Sequence, residues 1–97
     1  MRLEVSPAAE TDLIEIASFI ARDNPPRALT FVDELEAACT RLVDHPHSGV
    51  ARSDLRPGLR SRPYGSYVIF YTVQETVLRV ERILHGSRDI GGPLSPI

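Results

Sequence analysis

Polar and apolar residues alternate along "RLEV" (Arg2 to Val5), and the pattern then changes to a longer period. Alternation with period two suits a short strand. Beyond it Ala9, Leu13, Ile16, Ala17 and Ile20 recur at helical spacing, with Thr11, Glu15, Ser18 and Arg22 as the opposing polar stripe. Ser6 followed by Pro7 reads as the N-cap and the first helical residue. Glu10 and Asp12 fall near the positive end of the helix dipole, where acids are favoured. Ile14 and Phe19 widen the apolar face beyond what one core contact needs.

"DNPP" (Asp23 to Pro26) ends this helix and starts a second, with Asn24 as cap and Pro25 in the first turn. Ala28, Phe31, Leu35, Ala38, Cys39 and Leu42 then carry the 3.6-residue period. The helix is expected to end near Asp44, because Pro46 disfavours helical geometry at His45. So short a link predicts an antiparallel helical hairpin. "HPHSGVARSDLRPGLRSRP" (His45 to Pro63) reads as loop, with a short strand around Leu59 to Arg62. "SYVIFYTV" (Ser66 to Val73) is β-branched and aromatic, hence strand. "QET" is a turn without glycine, and "VLRVERILH" (Val77 to His85) is the last strand. Gly91, Gly92, Pro93 and Pro96 argue against a regular C-terminal helix.

The expected order is β-α-α-β-β-β: an N-terminal strand, the helical hairpin, then an antiparallel meander. Helices gathered on one face of a sheet define an α+β two-layer fold, here one domain over 1–97. The other face is expected to stay open to solvent or to a partner.

Composition adds boundaries. A chain of 97 residues buries a modest core and leans on partners for stability. No apolar run reaches membrane-spanning length, and "MRLEVSPAAETDL" lacks a signal-peptide core, so a cytoplasmic place without membrane contact is expected. The single cysteine, Cys39, leaves no internal disulfide and no Cys-based zinc site, and reads as a small buried apolar residue. Neither a metal nor a cofactor is expected.

Charge is uneven along the chain. Met1 to Ser48 holds four Arg against nine acids, and Gly49 to Ile97 holds seven Arg against four. Every Lys-or-Arg cation is Arg, a planar fork suited to carboxylate or phosphate. The densest group is Arg52, Arg56, Arg60 and Arg62, with Asp54 opposing it. It reads either as a contact for phosphate or an acidic protein segment, or as a solvated loop. Tyr64, Tyr67 and Tyr71 suit cross-strand packing with hydroxyls at the rim better than base stacking. His85 ends the last strand and reads as bonded to nearby backbone; as an acid or base it would need a partner that the sequence does not show. Arg88–Asp89 is a partner contact or a turn. Arg82 shares parity with Leu78, Val80 and Leu84. Either it reaches past the core edge or a bulge near Glu81 changes its face.

Taken in order, "SPAAETDLIEIASFIA", "HPHSG", "LR" at Leu59–Arg60, "YGSYVIFYTV" and "VERILHGSRDI" span nearly the whole chain. The set resembles the ParE/RelE superfamily of type II toxin–antitoxin toxins, and its "HGxRD" ending resembles the ParE branch. The resemblance implies a non-enzymatic growth inhibitor that binds DNA gyrase and is silenced by a small cognate antitoxin. It implies a ParD-like, ribbon-helix-helix antitoxin, contact with operator DNA only through that antitoxin, and a higher-order hetero-oligomer. Candidate target- or antitoxin-binding residues are then Arg52, Arg56, Arg60, Arg62, Tyr64, Arg82, His85 and Arg88, with Ile14 and Phe19 facing the antitoxin. The alternative is a ribosome-dependent mRNA endonuclease of RelE type, in which Arg62 and Arg82 hold phosphate and His85 moves a proton. That set looks incomplete, since arginine is a poor proton carrier.

Overall fold

A computed structural model describes residues 1–87. It contains β1 (Arg2–Val5), α1 (Pro7–Ala21), α2 (Pro25–Asp44), β2 (Val50–Ala51), β3 (Leu59–Tyr64), β4 (Tyr67–Gln74) and β5 (Val77–His85). The expected β-α-α-β-β-β order holds, with the two-residue β2 added at the sheet's far edge. Arg88, Asp89 and the "GGPLSPI" tail lie outside the described residues.

Both helices begin where their caps predict. Ser6 Oγ accepts the Ala9 N–H at 3.0 Å, and Asn24 Oδ1 accepts the Arg27 N–H at 3.2 Å. Ser6 also ties the helix start to the sheet, because its hydroxyl donates to the Glu81 carbonyl at 2.7 Å. α2 stops at Asp44, and its six predicted core positions, from Ala28 to Leu42, are all buried. No described helix is long and apolar enough to cross a membrane.

The sheet order is β1-β5-β4-β3-β2. β1 runs parallel to β5, and the remaining pairs are antiparallel. The parallel pairing is possible because the helical hairpin and the meander intervene, giving the chain room to return alongside its first strand. Two-residue turns join β3 to β4 and β4 to β5. Gly65 supplies a positive φ of 57° in the first, where glycine is suited. In the second, Glu75 takes φ 53° with a side chain attached, which is why no glycine marks that turn.

A register shift between Phe70 and Tyr71 decides the face of Arg82. Phe70 pairs with Arg82 and Tyr71 with Val80, so Glu81 is the extra residue of a bulge. Leu78, Val80 and Ile83 therefore all join the core under the helices, with Leu35, Cys39, Leu42, Ile69 and Tyr71. Arg82 leaves that parity.

The far face of the sheet is only partly open. Leu59, Phe70 and Leu84 form a second buried cluster there, against which Leu55 and Val68 pack. The expectation of an uncovered face is corrected on this point. The loop before β3 brings Leu55 onto the sheet, and burying each such side chain stabilises the fold by about 1.5–3 kcal/mol.

Candidate docking surfaces

The outer face of α1 carries large apolar side chains that the core does not use. Ile14 is 67% and Phe19 62% exposed, and Leu29 of α2 is 74% exposed. Ile14 and Phe19 sit outside the stripe formed by Ala9 and Ile16 and, five residues apart, point about 140° from each other around the helix. Phe19 flanks the core stripe beside β5, and Ile14 lies on the outer side of α1.

At the end of β5, exposed His85 meets Tyr67 edge-on, with ring centroids 5.2 Å apart. Its Nδ1 accepts the Ser87 backbone N–H at 3.2 Å and lies 2.7 Å from the Ser87 hydroxyl. Phe19, Asp12, Tyr67 and His85 border a shallow cleft of about 130 Å³. His85 thus ends its strand with a local backbone bond, as the sequence suggests.

Arg82 lies beside this cleft but its guanidinium is occupied. Nε and one terminal nitrogen each donate to Asp12 at 2.8 Å, across 70 residues of sequence. Both readings of Arg82 combine. The bulge takes it off the helix-side parity, and its long stem then returns to the carboxylate on α1. The hydrogen bond that Arg82 donates to Asp12 raises the Arg82 pKa despite partial burial.

The four arginines between Arg52 and Arg62 do not form one patch. Arg52 is clasped by Asp54 at 3.1 and 3.0 Å, and Arg56 lies 3.6 Å from Glu81. Arg60 donates to the carbonyls of His47 at 2.9 Å and Gly49 at 2.7 Å, so it braces the loop between α2 and β2. Arg62 makes one long contact, 3.5 Å, to the Ser48 carbonyl. Among the described residues, only Arg56 of these four meets an acid distant in sequence, Glu81. On the far sheet face Glu4, Arg79, Glu81 and Arg56 form a run of alternating sign along one groove.

Tyr64 reaches back to α2, where its hydroxyl donates to Glu34 at 2.7 Å. Glu34 is held below its ordinary carboxylate range by hydrogen bonds from Arg27 and from Tyr64, and the bond to Glu34 raises the Tyr64 pKa. Tyr71 is fully buried, with its hydroxyl donating to the Pro46 carbonyl at 2.8 Å and accepting the Gly49 N–H at 3.0 Å. Burial pushes the Cys39 thiol up to about 11.

The groups that a nuclease would need are dispersed. Arg62 lines a cleft with Tyr64 at the C-terminal end of α2, whereas His85 lines the cleft beside Phe19. Arg82 is committed to Asp12. Arg88 lies outside the described residues.

Sequence reading assigns Asp12 to the helix dipole and gives no role to Arg41 or Glu34. For Asp12 a signal existed. Ala9, Asp12 and Ile16 share one helical stripe, so a carboxylate interrupts an apolar face and requires a partner there. Nothing in the local sequence marks Arg41 or Glu34; Glu34 joins Arg27 two turns back on α2 to Tyr64 of β3, and Arg41 shares a cleft with Arg62 of β3.

Fold and similarity together define the class of this protein, a toxin of a type II toxin–antitoxin system. The family described as ParE toxin of type II toxin-antitoxin system, parDE, matches residues 3–90. Toxin ParE1 of Mycobacterium tuberculosis is 35% identical over 91 residues, covering 92% of this chain and 93% of that protein. Toxin ParE1 of Caulobacter vibrioides is 33% identical over 84 residues, covering 86% of each. A solved structure described as the chromosomal ParDE TA system from P. aeruginosa superposes with a TM-score of 0.76 at 22% identity, covering 88% of this chain and 95% of that one. At that identity it attests the shared fold alone. The chain belongs to the ParE toxin family, as its sequence resemblance implies.

Proposed function

We propose that this chain arrests growth by binding DNA gyrase, performs no chemistry of its own, and is silenced by a cognate ParD-like antitoxin. Membership of the ParE family supports the target. The observation that carries the binding reading is the exposure of Ile14 and Phe19 on a helix whose other face already fills the core. A partner's amphipathic helix laid along α1 would remove that apolar surface from water, and coupled folding of an acidic antitoxin segment fits the arginine-rich second half.

The dispersal of Arg62, Arg82 and His85 supports a non-enzymatic role. Cleavage of RNA at a ribose hydroxyl needs a base, an acid and charge stabilisation within reach of one phosphate. Here the proton carrier and the one of those two arginines without an acid partner line separate clefts.

Expression of the chain carrying His85→Ala tests the reading. Growth arrest equal to the wild type, with no new mRNA 5′ ends in either strain, is the expected outcome. New mRNA ends that vanish with His85→Ala would replace it with the endonuclease alternative.

A further inference from the structure

A cleft of about 400 Å³ lies where α2 ends against β3. Its polar lining comes from Arg41, His45, Ser48 and Arg62. Among the described residues neither Arg41 nor Arg62 forms an ion pair, unlike Arg2, Arg27, Arg52, Arg56, Arg79 and Arg82. Among the described residues Arg22, Arg41, Arg60 and Arg62 have no acid partner; Arg60 is bonded to loop carbonyls, Arg22 stands at the exposed end of α1, and Arg41 and Arg62 share this cleft. The C-terminal end of α2 adds a partial negative charge of about half a unit, too little to neutralise two guanidinium groups.

Ala38 and Leu42 on α2, and Pro63 and Tyr64 on β3, add apolar surface to the same lining. That mixed lining selects the ligand's chemistry. A free phosphate has no surface to lay against Ala38 and Leu42. The side chain of Glu does, since an aliphatic stem leads to a planar carboxylate that guanidinium forks recognise. The Tyr64 hydroxyl already donates to Glu34, so it offers an incoming anion no proton, and Glu34 opposes a second negative charge.

We propose that this cleft at the C-terminal end of α2, with Arg41 and Arg62 as its anchors, binds a glutamate or aspartate side chain presented by an acidic segment of a partner protein. The partner is the antitoxin, so the identity of the occupant rests on the toxin reading, while the carboxylate site itself does not. Arg62 thereby gains a specific ligand, and Arg41 and His45 join the docking residues.

The test titrates the labelled chain with a capped peptide, Ala-Glu-Leu-Glu-Ala, its Gln counterpart, and inorganic phosphate, following arginine Nε–H signals by NMR. The Arg41 and Arg62 signals should move with the Glu peptide and not with the Gln peptide. Arg41→Gln and Arg62→Gln should each weaken binding about tenfold, as loss of one charge-assisted contact does. Arg22→Gln, on the exposed end of the first helix, should leave it unchanged. Stronger shifts with phosphate, no shifts with either anion, or equal loss in Arg22→Gln would overturn the proposal. Where a small acidic reading frame adjoins this one, its product provides the second arm. If the wild-type chain binds it and the Arg41→Gln, Arg62→Gln double variant binds it equally well, the cleft proposal fails and the toxin reading stands. If the wild-type chain does not bind it, the toxin reading fails, and the peptide titration still decides the cleft.

Discussion

Asp12 on α1 and Arg82 on β5 clasp each other through two 2.8 Å hydrogen bonds, and Asp12 also accepts the Ile83 backbone N–H at 2.9 Å. One carboxylate thus pins the first helix to the last strand beyond the point where β1 stops covering the β5 edge. Asp12 is 3% exposed, so removing its charge leaves a guanidinium without its counterion and weakens the hold on a strand-edge N–H. Asp12→Asn should cost about 3 kcal/mol. Urea unfolding followed by circular dichroism measures it. Adding Arg82→Met should recover part of that loss. A cost under about 0.5 kcal/mol, the range of an ordinary surface substitution, would mean the pair is ornamental.

The loop between α2 and β2 hangs on Tyr71. Tyr71→Phe should cost about 1–2 kcal/mol, because the buried Gly49 N–H and the Pro46 carbonyl both lose a partner. Gly49→Ala should cost more, about 2–3 kcal/mol, from overpacking. A Cβ there would stand 2.5 Å from the Tyr71 hydroxyl and 2.7 Å from the Ser61 carbonyl, and the latter is backbone. Thermal denaturation of the two variants checks the ranking, and a harmless Gly49→Ala contradicts it.

Arg60 and Arg62, two residues apart, should behave differently. Arg60→Ala removes two bonds to loop carbonyls and should destabilise by about 1.5–3 kcal/mol. Arg62→Ala should stay within about 0.5 kcal/mol of wild type while weakening partner binding. Parallel unfolding and binding measurements separate the two roles. Equal loss of stability in both variants would make Arg62 structural as well.

Much of this architecture is legible in sequence, for physical reasons. Caps at Ser6 and Asn24 and the α2 stripe from Ala28 to Leu42 are local, so spacing and side-chain chemistry suffice. Arg82 stands out by parity alone, and the bulge at Glu81 is one of two ways to resolve it. Asp54 beside Arg52 is legible as an opposing acid, but the long-range partners of the arginines are not. Arg56 meets Glu81 and Arg79 meets Glu4 only because the sheet brings distant segments together. For the same reason the second cluster of Leu59, Phe70 and Leu84 cannot be told from ordinary strand alternation.

Acid should loosen the link between α2 and β3. Glu34 has a lowered pKa in the fold, caused first by its bond from Arg27 and then by that from Tyr64. A depressed carboxylate contributes stability above its unfolded value, about 4.3, and that contribution is lost as pH falls through the folded value below it. Melting temperature from pH 7 to pH 3 should therefore fall more steeply for the wild type than for Glu34→Gln in the region below about pH 4. Asp54 is lowered too, first by its hydrogen bond from Arg52, and it is present in both proteins, so the difference between the two curves isolates Glu34. Superimposable slopes would remove the Glu34 link from the account.

Docking on gyrase, the proposed mode of inhibition, is open to a direct assay. Purified gyrase, relaxed plasmid and ATP are incubated with increasing amounts of the folded chain, with and without the proposed antitoxin. The account predicts loss of supercoiling together with accumulation of linear, protein-linked DNA, both reversed by the antitoxin. Full supercoiling activity at saturating, folded chain would contradict it.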